Sequence, residues 1–306
     1  MNRSRTPWWL WPNLLSLDAP LIAVAWLWMF TKFWYIRVID PAVYWVLFGS
    51  VWMIYVVDRI RDAWKKGGKG ELRHEFHWRH RKILLFLVAL VFIGCVFGFL
   101  TGIPTTMVWN WPRGYPGDGM NPQGLQLLIA IFISLVTHGG IVLLFTAAFF
   151  LVGKNSEEGV ENAVIKNVFA ALTFAFGTAS GAHFYQLHGP LPMLYSFEVL
   201  AFAFVCLLNL NAIDIWEEED GYQEEGIGVR DFALTLPLLV IGFLSLLAAH
   251  FWDAYRKPFF YSILVASAAL LMLDRYRNRL SKNLLRVLAD VALLLPLPIF
   301  WFWFRA

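Results

Sequence analysis

The chain has 306 residues, of which 59% are hydrophobic and only 15% charged, and its formal net charge is +3. Soluble domains carry about 25% charged residues, whereas the charges here are bunched between long apolar runs. This distribution excludes an ordinary soluble domain, and we expect no nucleic acid partner. The 16 Trp and 10 Tyr residues suit bilayer interfaces, where an apolar ring carries a polar group. We therefore predict an all-α polytopic membrane protein with a single transmembrane domain, residues 1–306.

A helix that crosses the hydrocarbon core needs about 20 apolar residues. In chain order, such runs predict nine spans, at 17–36, 41–58, 83–101, 124–152, 164–186, 191–215, 232–252, 258–274 and 284–304. The basic start is not followed by a small-residue cleavage site, so the first span is expected to be an uncleaved anchor. The two cysteines, Cys95 and Cys206, both fall inside spans, which predicts neither a disulfide framework nor a metal knuckle.

The Lys and Arg residues predict the orientation of these spans. With a cytoplasmic N-terminus, 19 of the 25 basic residues fall in or beside cytoplasmic connections and 6 on the other side. Cytoplasmic loops carry the excess of Lys and Arg. We therefore predict an inner or plasma membrane protein, surrounded by membrane lipids, whose N-terminus and connections after spans 2, 4, 6 and 8 are cytoplasmic.

Two groups of carboxylates close even-numbered spans. The first acidic cluster is Asp58 and Asp62, and the second acidic cluster is Asp214 and Glu218, with Asn211 one turn earlier. Residues four apart share one face of a helix, so the two faces together would present four carboxylates to one cavity. Hard oxygen ligands of this kind suit Mg²⁺. The alternative is that each cluster is a solvated helix end, balanced by nearby Lys and Arg.

The two clusters resemble the paired Asp-rich motifs of the UbiA superfamily of intramembrane prenyltransferases, such as 4-hydroxybenzoate polyprenyltransferase. Residues 58–62 match the D-x-x-x-D core of the first motif, and residues 211–218 are similar to the second, N-x-x-D-x-x-x-D. Residues 17–21 are similar to the family's entry motif, R-L-D-K-P-I. Residues 166–168 and 174–177 resemble the basic start and the Gly-ending stretch of the family's fifth helix, and the order of the four stretches holds over essentially the whole chain.

The resemblance implies a helical bundle around a central cavity that catalyses Mg²⁺-dependent prenyl transfer. The donor would be a polyprenyl diphosphate and the acceptor a lipophilic, aromatic compound in the membrane. The implied catalytic residues and Mg²⁺ ligands are Asp58, Asp62, Asp214 and Glu218. The implied substrate-binding residues are Asn211, Lys166, Arg59, Arg61, Lys66 and Asp18. Mg²⁺ would neutralise the leaving diphosphate, and an apolar bundle would keep water from the allylic cation.

Departures from the family pattern keep other functions open. Ile54 stands where the first motif has Asn, Ser16 and Ala19 replace the Arg and Lys of the entry motif, and Glu218 stands where Asp is commoner. A UbiA-fold protein that binds an isoprenoid or quinone without catalysis is therefore the first alternative. A transporter is the second, disfavoured because transporters often break their helices near mid-membrane, whereas these acids cluster at helix ends.

Several polar residues lie outside these motifs. His74, His77 and His80 belong to a basic stretch, and we expect residues 67–81 to form a mobile loop and a short amphipathic helix that covers the cavity. Three further histidines, His138, His183 and His250, are expected to have hydrogen-bonded packing roles. Inside the last span, Asp290 either pairs with Arg286, four residues earlier, or faces the cavity.

Overall fold

The computed structural model describes residues 7–65, 67–68, 72–102, 125–155, 160–186, 189–218 and 227–304. Within these ranges, the side chains of 125–127, 153–155, 160–163, 218 and 227–232 lie outside the described set. The described chain is helical and contains no strand, which confirms the predicted all-α class for these residues. Its main helices are α1 (Asp18–Phe33), α2 (Pro41–Lys65), α3 (Leu72–Thr101), α4 (Leu125–Asn155), α5 (Val160–His183), α6 (Phe197–Glu218), α7 (Ile227–Phe251), α8 (Lys257–Tyr276), α9 (Lys282–Leu294) and α10 (Pro296–Trp303).

Eight of the helical segments within the described residues are long and apolar enough to cross a membrane. They correspond to predicted spans 2 to 9, and the last of them, Lys282–Trp303, joins α9 to α10. The first predicted span is different, because α1 follows the helical segment Trp8–Leu14 at a bend of 79°. Counted as one broken span, this pair gives the predicted total of nine. The architecture is that of an integral membrane protein with many helical spans.

The basic stretch before the third span does not form a separate helix. Helix α3 runs without a break from Leu72 to Thr101, so the predicted short amphipathic helix is the beginning of the spanning helix itself. His74 and His77 are buried, and the Nε2 atom of His77 lies 3.3 Å from the hydroxyl of Ser16. This face therefore packs against the N-terminal segment instead of forming a free lid. Residues 66 and 69–71 lie outside the described chain.

Helices α2 and α3 form a closely packed antiparallel pair. A Cβ atom on Gly98 would come within 2.0 Å of the Trp45 ring, and one on Gly49 within 2.6 Å of Cys95 Sγ. Small residues let helices approach in a bilayer, where helix association depends on van der Waals contact. The glycines thus fix this pair side by side, which places the end of α2 next to the beginning of α3.

The core of the bundle is built around α1, which contacts α2, α5 and α9. The Trp26 ring stacks on Phe202 of α6 at 4.3 Å, and Phe30 lies 4.9 Å from Phe259 of α8. The indole N–H of Trp26 also donates to the Leu293 carbonyl of α9 at 2.9 Å. These contacts centre the bundle on α1, so the helices that end in acidic residues surround it.

Candidate functional site

The first acidic cluster faces a single lysine of α5. Lys166 Nζ lies 3.8 Å from Asp58 Oδ1 and 4.0 Å from Asp62 Oδ2. The four-residue spacing on α2 puts both carboxylates on one face, and Lys166 lies between them. Its Nζ atom is also 5.4 Å from the centre of the Phe149 ring of α4, a cation–π distance. One ammonium group therefore faces two carboxylates.

The second acidic cluster faces the neighbouring residue of α5. The side-chain amide of Asn167 donates to Asn211 Oδ1 at 3.0 Å and to Asp214 Oδ2 at 2.7 Å. Both hydrogens of the amide group are thereby used. Asp214 is exposed, whereas the side chain of Glu218 lies outside the described residues. Asn167 thus holds the described part of the second motif against α5.

The consecutive residues Lys166 and Asn167 bring the two acidic clusters to one place. Lys166 faces the end of α2, and Asn167 faces the end of α6. Three of the four predicted carboxylates, Asp58, Asp62 and Asp214, therefore surround one turn of α5. All of them lie at the end of the bundle that carries most of the basic residues.

The spacing of the carboxylates limits how they can hold a metal ion. Among the described residues, no three His, Cys, Asp or Glu side chains lie close enough to hold one ion together. Mg²⁺, however, typically binds through one or two carboxylates, with water and substrate phosphates completing its coordination. Asp58 Oδ1 is buried and has no hydrogen-bond partner in the described structure. Asp58 and Asp62, which both face Lys166, are two carboxylates of the number that such a site uses.

The other predicted cationic residues are placed differently. Arg59 donates to the Asn13 carbonyl and lies 3.8 Å from Asp18 Oδ2, so it holds the N-terminal segment and α1. Arg61 donates to the Phe150 carbonyl of α4 at 3.3 Å. Lys66 lies outside the described residues. Of the described candidates for a diphosphate partner, Lys166 is the one placed between the acids.

Glu217, an acid outside the predicted site, connects three helices. Glu217, at the end of α6, accepts hydrogen bonds from Arg286 of α9 and lies 3.6 Å from Arg73 of α3. Lys282 Nζ adds a bond of 2.8 Å to the Glu217 carbonyl. In the sequence, Glu217 is one of four consecutive acids and nothing distinguishes it. Its ion pairs fix the end of α6, on which Asp214 and Glu218 lie.

At the other end of the bundle, two predicted packing histidines are in contact with each other. His138 Nε2 lies 2.9 Å from His183 Nδ1, and Ser134 and Trp34 lie beside the two rings. Both imidazoles are buried. The expected hydrogen-bonded packing role is confirmed for this pair.

The fold and the site together define an integral membrane protein of many helical spans, with a charged site where α2, α5 and α6 meet. No protein-family model, curated protein or solved structure matches the chain.

Proposed function

We propose that this protein is an intramembrane prenyltransferase related to the UbiA superfamily. Its substrates would be a polyprenyl diphosphate and a lipophilic, aromatic acceptor, and its cofactor Mg²⁺. The observation that carries the proposal is the placement of Lys166 and Asn167 between the two acidic clusters. Two motifs about 150 residues apart in the chain, which a diphosphate-binding site requires together, meet at one end of the bundle. An apolar interior would keep water from the reaction.

The resemblance implies the roles of the acids, and the contacts of Lys166 and Asn167 are consistent with roles beside them. Asp58, Asp62, Asp214 and Glu218 would hold Mg²⁺, which neutralises charge on the departing diphosphate. Lys166 is within 4.0 Å of both acids of the first cluster, so it can exchange these partners for phosphate oxygens when the metal satisfies the acids. Asn167 keeps Asp214 oriented by a bond of 2.7 Å. The long apolar walls would hold the prenyl chain.

A non-catalytic binder of isoprenoids or quinones is the second candidate. Two observations favour it: Lys166 lies against both Asp58 and Asp62, and Ile54 occupies the position of the family's Asn. Such a protein would bind a prenyl compound but would not need Mg²⁺. A dependence on Mg²⁺ would therefore distinguish a prenyltransferase from a non-catalytic binder.

The deciding experiment supplies labelled geranyl, farnesyl and longer diphosphates, with a lipid extract as the source of acceptor, with and without Mg²⁺. We expect a labelled lipid product only with Mg²⁺. Replacing Asp58 or Asp214 by Asn keeps the size and removes the charge. Each change should reduce the product by about 10²-fold or more, since a metal contributes several kcal/mol.

The matched control is Asp253→Asn, a carboxylate at the opposite end of the bundle that is paired with Arg256 at 3.7 Å. It should retain product formation. Each variant is first shown to be monodisperse in detergent. If well-folded Asp58→Asn and Asp214→Asn variants keep full Mg²⁺-dependent diphosphate binding, the metal site and the transferase function are both wrong.

A further inference from the structure

The N-terminal segment, residues 8–17, changes direction before the first long helix. Its helical part, Trp8–Leu14, meets α1 at a bend of 79°. Most residues of α1 are buried in the bundle, and membrane-spanning helices are tilted on average by about 20° from the bilayer normal. The helical part therefore lies nearly parallel to the membrane plane, at the end of the bundle that carries the first acidic cluster.

The bend is fixed by hydrogen bonds that end the helical part. The Leu17 N–H donates to the Pro12 carbonyl at 2.9 Å, and the Ser16 N–H donates to the Asn13 carbonyl at 3.1 Å. Ser16 has a φ of 57°, in the left-handed region, so the arrangement is that of the Schellman motif, which ends many helices. The Asn13 amide also donates to Asp18 Oδ2 at 2.6 Å, across the bend. The direction of the segment is therefore a defined feature of the fold.

Side chains of α2 satisfy carbonyls at the end of this segment. The indole N–H of Trp52 donates to the Leu15 carbonyl at 3.0 Å, and Arg59 donates to the Asn13 carbonyl. The last carbonyls of a helix have no partner within it, and unsatisfied backbone groups are costly in lipid. The end of the segment is thus suited to an environment that contains little water.

The segment has two different faces. Leu10 and Leu14, four residues apart, are buried, whereas Trp8 is 84% exposed, Trp11 is 45% exposed and Leu15 is also exposed. The three exposed residues are three and four positions apart, so they lie on one side of the helical turns. A large apolar face, rich in Trp, therefore points away from the bundle.

A contact with α3 indicates the depth of this face in the membrane. The Trp11 ring lies 6.3 Å from the Phe76 ring, with 89° between their planes. Phe76 belongs to the first turns of α3, between the basic residues Arg73 and Arg79. Basic side chains near the end of a spanning helix stand at the level of the lipid head groups, so Trp11 lies at that level too. Trp is enriched there because an apolar ring carries a polar N–H.

We propose that residues 8–15 form an interfacial anchor, which lies in the membrane plane and binds the boundary between lipid head groups and acyl chains through Trp8, Trp11 and Leu15. Amphipathic segments of this kind lie at that boundary with their apolar face in the lipid. Arg59, which contacts the segment, follows Asp58 in α2, so the anchor holds the first acidic cluster at a fixed depth. The proposal is independent of the transferase function, because the acidic clusters take no part in lipid binding.

The test measures the depth of a nitroxide spin label on single-cysteine variants of the full-length protein, in lipid nanodiscs that hold one copy each. Oxygen concentrates in the bilayer, whereas a nickel chelate stays in water, so the ratio of their collision rates with the label reports depth. The native cysteines are buried and take little label. We expect Trp8→Cys and Leu15→Cys to give ratios several-fold above that of Lys65→Cys, an exposed polar position at the end of α2.

The reference for a label in the acyl chains is Phe92→Cys, which is 57% exposed on the apolar part of α3. The ratios at Trp8→Cys and Leu15→Cys should lie between those of Phe92→Cys and Lys65→Cys. Both replaced side chains are exposed, so the variants should fold, and either site alone can contradict the proposal. A ratio equal to that of Lys65→Cys at either site overturns it. So does a high ratio that is found in liposomes but lost in single-copy nanodiscs, which would assign the face to a second copy of the chain.

Discussion

The Nζ atom of Lys166 lies 3.8 Å from Asp58 Oδ1, a distance at which the two charges attract without forming a hydrogen bond. Asp62 is at 4.0 Å on the other side of the same ammonium group. The lysine is thus shared between two acids and bound tightly to neither. This arrangement suits a cation that must change partners when an anionic ligand arrives.

The first prediction concerns this lysine. Lys166→Gln should weaken the Mg²⁺-dependent binding of inorganic pyrophosphate at least tenfold, about 1.4 kcal/mol, because a charge-assisted contact to phosphate is lost. Lys166→Arg should restore most of the affinity. Calorimetric titration of the detergent-solubilised protein measures both. Lys257→Gln, at the opposite end of the bundle, should bind like the wild type. Equal affinity in Lys166→Gln would remove this residue from the site.

The second prediction is that two adjacent acids have different roles: Glu217 in stability and Glu218 in prenyl transfer. Arg286, 7% exposed, depends on Glu217, which is itself 24% exposed. Glu217→Gln should therefore lower the free energy of unfolding by about 1–2 kcal/mol, a figure reduced for the partial exposure of Glu217. Glu218→Gln should leave stability unchanged and, on the proposed function, abolish Mg²⁺-dependent transfer. Thermal unfolding and product formation are measured on both variants. The reverse assignment of the two effects would contradict the site.

The third prediction is a titration at the opposite end of the bundle. Burial, together with the Asp253 carboxylate, raises the pKa of Tyr35 above the ordinary 10.0, while Arg256 opposes this rise. The neutral phenol is therefore favoured in the folded protein. Its contribution to stability is complete below pH 10 and is lost as the pH rises through the raised pKa.

The titration of Tyr35 can be followed by tyrosinate absorbance, as the difference between the wild type and Tyr35→Phe. Asp253→Asn should lower the pKa of Tyr35, because a neighbouring negative charge is removed. Arg256→Gln should raise it further. Identical titration curves in all three backgrounds would show that the Tyr35 hydroxyl does not contact this loop.

The fourth prediction concerns orientation and depends on the split of 19 basic residues to 6. A cysteine at Lys65, which is exposed, should react with a membrane-impermeant maleimide only after the cells are permeabilised. A cysteine at Val38, 48% exposed, should react in intact cells. The native cysteines are buried and give a low background. The opposite pattern would place both acidic clusters on the outer side.

Hydropathy and residue spacing were sufficient to predict much of this architecture. Spans 2 to 9 could be predicted because the bilayer imposes a minimum apolar length on each helix. The common face of Asp58 and Asp62 followed from their spacing on one helix. The early start of α3 at Leu72 was missed, because the polarity of residues 73–82 hides their continuity with the apolar run.

The sequence could not predict the pairings between distant helices. Nothing in the sequence distinguishes Asn167 from other amides until the fold brings it to Asp214, and nothing distinguishes Glu217 from the acids beside it until it meets Arg286. For Asp290, the sequence left open a local pair with Arg286. The structure instead pairs Arg286 with Glu217. Such choices depend on tertiary packing, which local patterns do not encode.

The unbroken length of α3 determines how a ligand can reach the charged end of the bundle. Its 30 residues extend for about 45 Å at 1.5 Å per residue, whereas the hydrocarbon core is about 30 Å thick. The excess of roughly three turns carries the basic residues that follow Leu72, so it stands at the level of the lipid head groups. An amphiphile with an anionic head could then diffuse within the leaflet to this end of the bundle. It would reach the site by lateral diffusion in two dimensions, and its tail would remain in the hydrocarbon core throughout.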